Sequence, residues 1–233
     1  MSYTPVAVVT GNHNFDVPGF QRMLDSIPES VCYLQDLDNF VADLGQFNDR
    51  YRTVVFYNFH QLTPVASDRL GASTIDAIDR LAESGQGLLI LHHAILAFPK
   101  WEVWNRIVGI SDRSFGYDPD QVVQTDISLA DHPITSGLQS WQMVDETYSM
   151  NDAGGDSQVI LSTDHPKSMQ VLGWTRQYKN SRVFCYQSGH DNQVFADDNF
   201  RRVMAQGIDW LIEPGKQKFP LAFCLPGLET YDN

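Results

Sequence analysis

Two imidazoles without a spacer, His92 and His93, follow the uncharged run Gly87-Leu88-Leu89-Ile90-Leu91. Such a run reads as a strand buried on both faces, the mark of a central parallel strand. In open α/β sheets ligands sit beyond the carboxyl ends of the strands, so side chains delivered there meet substrate. The same arrangement recurs elsewhere. Arg182-Val183-Phe184-Cys185-Tyr186-Gln187 ends in Ser188-Gly189-His190-Asp191, Val6 to Thr10 leads to Gly11-Asn12-His13-Asn14, and Thr53 to Tyr57 leads to Asn58. His13, Asn58, His92, His93 and His190 are therefore expected on one crest. Gly189 would let backbone approach a ligand closely, and Asp191 would either orient an imidazole or cap the next segment.

The elements that must position these residues follow from pattern. Strands are expected at Val6–Thr10, Val31–Leu34, Thr53–Asn58 and Gly87–Leu91. Between them helices are expected from Pro18 to about Ser26, from Asp36 to Asp49, and from an N-cap at Ser73 to Gly85. This alternation specifies a parallel sheet. The second half reads differently: a short helix Trp101–Val108, five strand-like segments (Gln121–Ile127, Trp141–Met150, Gln158–Leu161, Met169–Trp174, Arg182–Gln187) and a last helix Phe200–Ile212. Antiparallel strands added to one sheet explain this more simply than a second domain. The expected fold class is α/β, a parallel central sheet with added antiparallel strands, with residues 1–213 as one domain and 214–233 as a packing tail.

Composition bounds the function. The 233 residues carry 16 Lys+Arg against 29 Asp+Glu, a net charge of -13, which repels phosphate backbones and anionic membrane surfaces. Nucleic acid and membrane are not expected partners, and the apolar tail could dock on a second copy. The opening residues lack a basic, apolar leader pattern, so a cytoplasmic location is expected. Cys32, Cys185 and Cys224 are unpatterned and read as small core residues rather than disulfides, ligands or nucleophiles.

Several separated motifs in order carry a family resemblance. These are Gly87 to His92, Asp131-His132-Pro133-Ile134-Thr135-x-Gly137-Leu138, Asp145-Glu146-x-Tyr148, Trp174, Arg182 to His190, Phe200-Arg201-Arg202 and Gly207-Ile208-x-Trp210. From about Val6 to Ile212 the chain resembles the ThuA-like (trehalose-utilisation) family. The resemblance implies a flavodoxin-like three-layer α/β/α sandwich related to class I glutamine amidotransferases, and a small-molecule carbohydrate as partner, including keto-disaccharides or glycosides. In those amidotransferases a cysteine stands in the sharp turn after the central strand and a histidine follows a late strand. Here His92-His93 and His190 take those positions, so hydrolysis through a thioester is not available.

If residues 141–150 are extended, Glu146 and Tyr148 share one face and Asp145 takes the other. Two chemistries suit these groups. Glu146 and His190 could act as acid and base on a sugar, with His92 and His93 as ligands or electrophilic donors. Alternatively His92 or His93, with Glu146 and His190 and with His13 as a further donor, could hold a divalent metal such as zinc or manganese, although no short metal motif is present. His13, Asn58, Asp145, Tyr148, Trp174 and His132 are candidate substrate contacts. For Trp174 the competing expectation is core packing, and for His132 a structural turn. Trp101 and Trp104 would roof the pocket or pack the short helix, and His60 and His165 receive no role. The rival to an enzyme is a non-catalytic sugar-binding or scaffold protein on the same fold.

Overall fold

Val6–Val9, Val54–Tyr57 and Leu88–Leu91 are fully inaccessible to solvent, as charge-free aliphatic runs must be when both faces of a sheet are covered. The computed structural model describes residues 2–47, 50–212 and 219–220. Its first half is β1 (Ser2–Gly11), α1 (Val17–Asp25), β2 (Ser30–Asp36), α2 (Leu37–Phe47), β3 (Thr53–Asn58), α3 (Arg69–Ser84) and β4 (Gly87–Leu91). Its second half is α4 (Glu102–Val108), β5 (Gly116–Ile127), β6 (Trp141–Ser149), β7 (Gln158–Ser162), β8 (Val171–Tyr178), β9 (Ser181–Tyr186), α5 (Asn192–Phe195), α6 (Asp198–Leu211) and β10 (Phe219–Pro220). Strand order runs β2-β1-β3-β4-β9-β8-β7-β5-β6, with β10 pairing antiparallel to the start of β1. The pairs β1–β2, β1–β3, β3–β4 and β4–β9 are parallel, and everything beyond β9 is antiparallel.

Alternate residues of each central strand feed two cores. Ala7, Val9, Phe56, Ile90 and Cys185 pack under α2, α3 and α4, whereas Val8, Val55, Leu89, Phe184 and Tyr186 pack under α1 and α6. The three layers expected from the sequence follow from that period of two. Helix α6 buries Phe200, Val203, Met204, Ile208 and Leu211 in one stripe, a gross gain on the order of 10 kcal/mol at about 1.5–3 kcal/mol per side chain. A Cβ at Gly207 would come within 2.7 Å of the Phe184 ring, so the absent side chain lets α6 lie close on β9.

Several expected boundaries shift. Helix α3 starts at Arg69, where Asp68 accepts from Gly71 N at 2.8 Å; Ser73 lies inside the helix because a stronger cap stands upstream. The expected strand Met169–Trp174 is Val171–Tyr178, and α5 was not expected. Cys32 and Cys185 carry free thiols within apolar surroundings. Cys224, the tail beyond Pro220 and the expected helix end at Asp49 lie outside the described residues. Among the described residues no helix is long and apolar enough to cross a membrane.

Candidate functional site

The turn out of β4 fixes the first group. His92 has φ +51, a left-handed conformation costly for a residue bearing a Cβ, and it opens a 3-10 turn, His92–Leu96. Buried Arg113 clasps this segment from behind by donating to the carbonyls of Ile95 (2.7 Å), Ala97 and Phe98 (2.7 Å). The His92 imidazole is oriented through its far nitrogen: Nδ1 lies 2.7 Å from the Gln187 carbonyl, which can only accept. In the neutral ring Nε2 is therefore a lone pair, and it faces the Tyr148 hydroxyl at 2.8 Å and His190 Nδ1 at 3.2 Å.

Glu146 completes the group. Its Oε1 is 3.5 Å from both His92 Nε2 and His190 Nδ1, within ion-pair range. Burial alone would raise this carboxyl, but a proton taken up at His92 Nε2 donates to it, and that hydrogen bond with the charges of protonated His92 and His190 outweighs burial and holds it below the usual carboxylate range. Tyr148, fully enclosed, is pushed well above the ordinary phenol range by burial and by the Glu146 and Asp145 charges, so it remains a proton donor. The donor atoms of His92, Glu146 and His190 all lie within 4.8 Å of one another. Electron-rich atoms crowded in this way need a shared proton or a cation between them. With Nδ1 of His92 bonded to a carbonyl, the cluster has the orienting outer contact that metal-binding imidazoles carry.

Asp145 points the other way, as the alternation of β6 requires. Its carboxylate accepts from the backbone amides of Glu146 (2.8 Å), Gly189 (3.0 Å) and His190 (3.1 Å). It therefore ties β6 to the loop after β9. Gly189 has φ +130, which side chains rarely tolerate, and Tyr57 donates to its carbonyl at 2.9 Å. Gln187 serves twice, its carbonyl on His92 and its amide on the Glu146 carbonyl at 2.9 Å. Neither Gln187, Tyr57 nor Arg113 was singled out by sequence reasoning. The one available signal was Gln187, a polar residue closing an apolar strand.

His13 and His93 flank the cluster. Their rings stack at 4.2 Å, and His13 lies 6.3 Å from the His190 ring. His93 Nε2 donates to the Tyr57 carbonyl at 3.1 Å, and burial, with the charges of His92 and His13, drives its pKa down to about 2, so it sits behind the site as a neutral ring. Asn58 is buried and its amide donates to His60 Nδ1 at 3.2 Å. Two expectations are corrected. Trp174 is wholly enclosed, with its Nε1 on the Val108 carbonyl at 2.8 Å, and has no face for a sugar ring. His132 accepts from Ile134 N at 3.2 Å and packs on Trp210, so it is a turn residue. Trp101 and Trp104 belong to the core, Trp104 bonding to the Ala94 carbonyl, and Asp191 caps α5 through Gln193 N at 2.8 Å.

A histidine in the strained turn after β4, answered by a histidine after β9, defines an α/β protein whose site lies at the carboxyl ends of its parallel strands. The family profile described as ThuA, trehalose utilisation, matches residues 18–211, and the chain belongs to that family, which points to sugar metabolism. Among solved structures, a ThuA-like protein from Parabacteroides merdae superposes with a TM-score of 0.71 at 20% identity, over 94% of this chain and 95% of that one. A protein from Salmonella typhimurium described as cytoplasmic follows at 0.62 and 11% identity, covering 89% and 98% of the two chains. A protein from Thermoplasma acidophilum described as a GMP synthase subunit gives 0.55 at 10% identity, covering 90% and 94%. These likenesses show a shared fold. No curated protein matches the sequence.

Proposed function

We propose that this protein transforms a sugar or keto-glycoside by proton transfer, in a hydrolysis or isomerisation, with Glu146 and His190 as the acid and base. The observation that carries the reading is the convergence of Glu146, His190 and the Nε2 lone pair of His92 within 3.5 Å, with the Tyr148 proton at 2.8 Å. His190 is the partly exposed member and meets substrate first, while His92 holds or accepts a proton at Nε2. The same three donors suit a divalent cation such as zinc or manganese, which would polarise a carbonyl or acidify a water. The left-handed turn carrying a histidine in place of a nucleophile also favours a second reading, a sugar-binding protein that leaves its ligand unchanged.

Glu146→Gln and His190→Ala should each lower turnover of a glycoside and keto-glycoside panel by at least about 100-fold while leaving the melting temperature nearly unchanged. Loss of folding would make them structural residues. Saturable binding without product would establish the binding protein instead, and restoration by zinc or manganese after chelation separates the metal-assisted route from the metal-free one.

A further inference from the structure

Two aromatic side chains stand in water on the hairpin that carries Glu146 and Tyr148: Phe115 is 39% exposed and Tyr117 64%. Cross-strand pairing sets Tyr117 directly opposite Tyr148, and directly opposed residues project from the same face of a sheet. Tyr148 turns its hydroxyl to His92, and Glu146, two residues away, shares that face. Tyr117 therefore rises on the side of the hairpin that meets the histidines. Phe115 does the same, its ring 5.6 Å from that of Tyr148. Phe59, just beyond β3, meets Phe115 edge-on at 6.4 Å and lies 5.7 Å from His13 and 5.8 Å from His93. An unbroken series of ring contacts thus leads from solvent at Phe115 to Tyr148 on one side and to His13 on the other.

The polar groups along this stretch are spent on one another. Lys167 donates to Asp118 at 2.8 Å, Gln193 to Asp120 at 2.9 Å, and Ser114 to Asp112 through its amide at 3.0 Å and its hydroxyl at 2.7 Å. Phe115 also walls a cavity of about 500 Å³ together with Pro99, Lys100 and residues 111–114, so there is room against the ring. The charged members of that cavity are the paired Asp112, the inward-turned Arg113 and an exposed Lys100. A second sugar ring laid on this wall would strip water from its hydroxyls and regain few partners. A flat apolar group gives up no hydrogen bonds there and gains ring contacts.

We propose that Phe59, Phe115 and Tyr117 form a subsite for an aromatic aglycone, so that the substrate is an aryl glycoside and the wall selects it over a disaccharide. The proposal rests on reading the Glu146–His92–His190 cluster as the place where the sugar unit reacts.

Calorimetric titration with methyl and phenyl α- and β-glucosides, their 3-keto derivatives, trehalose and cellobiose tests it, with the imidazole resonances of His190 followed in the same samples. The phenyl glycoside should bind at least about tenfold more tightly than the methyl glycoside of the same anomer, and than either disaccharide. Phe115→Ser and Tyr117→Ser, both at exposed positions, should each shrink that ratio, and together bring it within about twofold. Phe115→Trp should preserve it. Equal affinity for phenyl and methyl glycosides, preference for a disaccharide, or a phenyl advantage that survives the double variant overturns the subsite. So does a phenyl advantage that leaves His190 unmoved, or a double variant that changes the sedimentation coefficient, which would make the wall a contact between copies. If a methyl glycoside moves His190 in those cases, the reading of the cluster stands alone; if no glycoside moves it, both fall.

Discussion

Replacing Arg113 by methionine probes how the His92 turn is held. The guanidinium is 3% exposed, has no carboxylate partner among the described residues, and donates to the carbonyls of Ile95, Ala97 and Phe98 and to Asn105 Oδ1 at 2.7 and 3.1 Å. Methionine keeps much of the stem but removes every donor. The carbonyls of Ile95 and Ala97 and the Asn105 Oδ1 lose the guanidinium at about 1–3 kcal/mol each, roughly 3–9 kcal/mol in all, while the Phe98 carbonyl keeps the Trp101 amide at 2.9 Å. Against this stands the relief of burying a cation. Burial pulls the Arg113 pKa down to about 10, and at about 1.4 kcal/mol per unit the charged form is penalised by about 3 kcal/mol. The net expectation is a destabilisation of about 3 kcal/mol, or roughly 6–12 °C in melting temperature for a chain of this size. Urea unfolding with an unchanged slope and a lower midpoint would measure it. Turnover should fall too, because the released segment begins at His92. Buried ion pairs are often replaced by apolar residues without loss, since both partners can be removed. Here the partners are backbone, and a variant as stable as the parent would refute that distinction.

Further outcomes follow from single contacts. Tyr148→Phe keeps the ring stacked on His92 but deletes the proton facing Nε2, so turnover should drop about 100-fold with a stability change under about 1 kcal/mol, read by kinetics and calorimetry together. Trp174→Phe leaves the Val108 carbonyl with only the distant Cys185 thiol, so it should cost about 1–3 kcal/mol and leave sugar affinity untouched; weaker sugar binding would contradict its enclosure. His132 is held neutral by burial, with its pKa lowered. Unfolded histidine binds a proton near pH 6.5 and the folded one does not. Its stabilisation is therefore complete above that pH and is lost as pH falls towards the folded value. His132→Asn should flatten the decline in stability between pH 7 and 5, and an unchanged slope would exclude His132 as its source.

The crest was legible because its residues obey one local rule: an apolar strand stops and a polar side chain follows. That rule found His13, Asn58, His92 and His190, and the period of two separated Glu146 and Tyr148 from Asp145. It could not reveal that the Asp145 carboxylate turns to three amides, because those of Gly189 and His190 belong to a loop more than forty residues away. Nor could it find Arg113, whose carbonyl partners become neighbours only after the chain reverses around α4. Trp174 and His132 stayed open between pocket and packing for a related reason, since a tryptophan in a strand looks the same from sequence whether its face meets solvent or Val108. The cap of α3 was missed because Ser73 and Asp76 imitate a capping box inside a helix already begun by Asp68.

The antiparallel half of the sheet has one thin seam. Strand β5 joins β7 through only two residue pairs, Asp126–Ser162 and Ile127–Leu161, whereas its pairing with β6 runs from Gly116–Ser149 to Thr125–Trp141. The β5–β6 hairpin thus behaves as an attachment that brings Glu146 and Tyr148 to histidines supplied by the parallel half. A scaffold divided in this way can exchange its reaction by grafting a different hairpin, while the strands that carry His92 and His190 stay as they are.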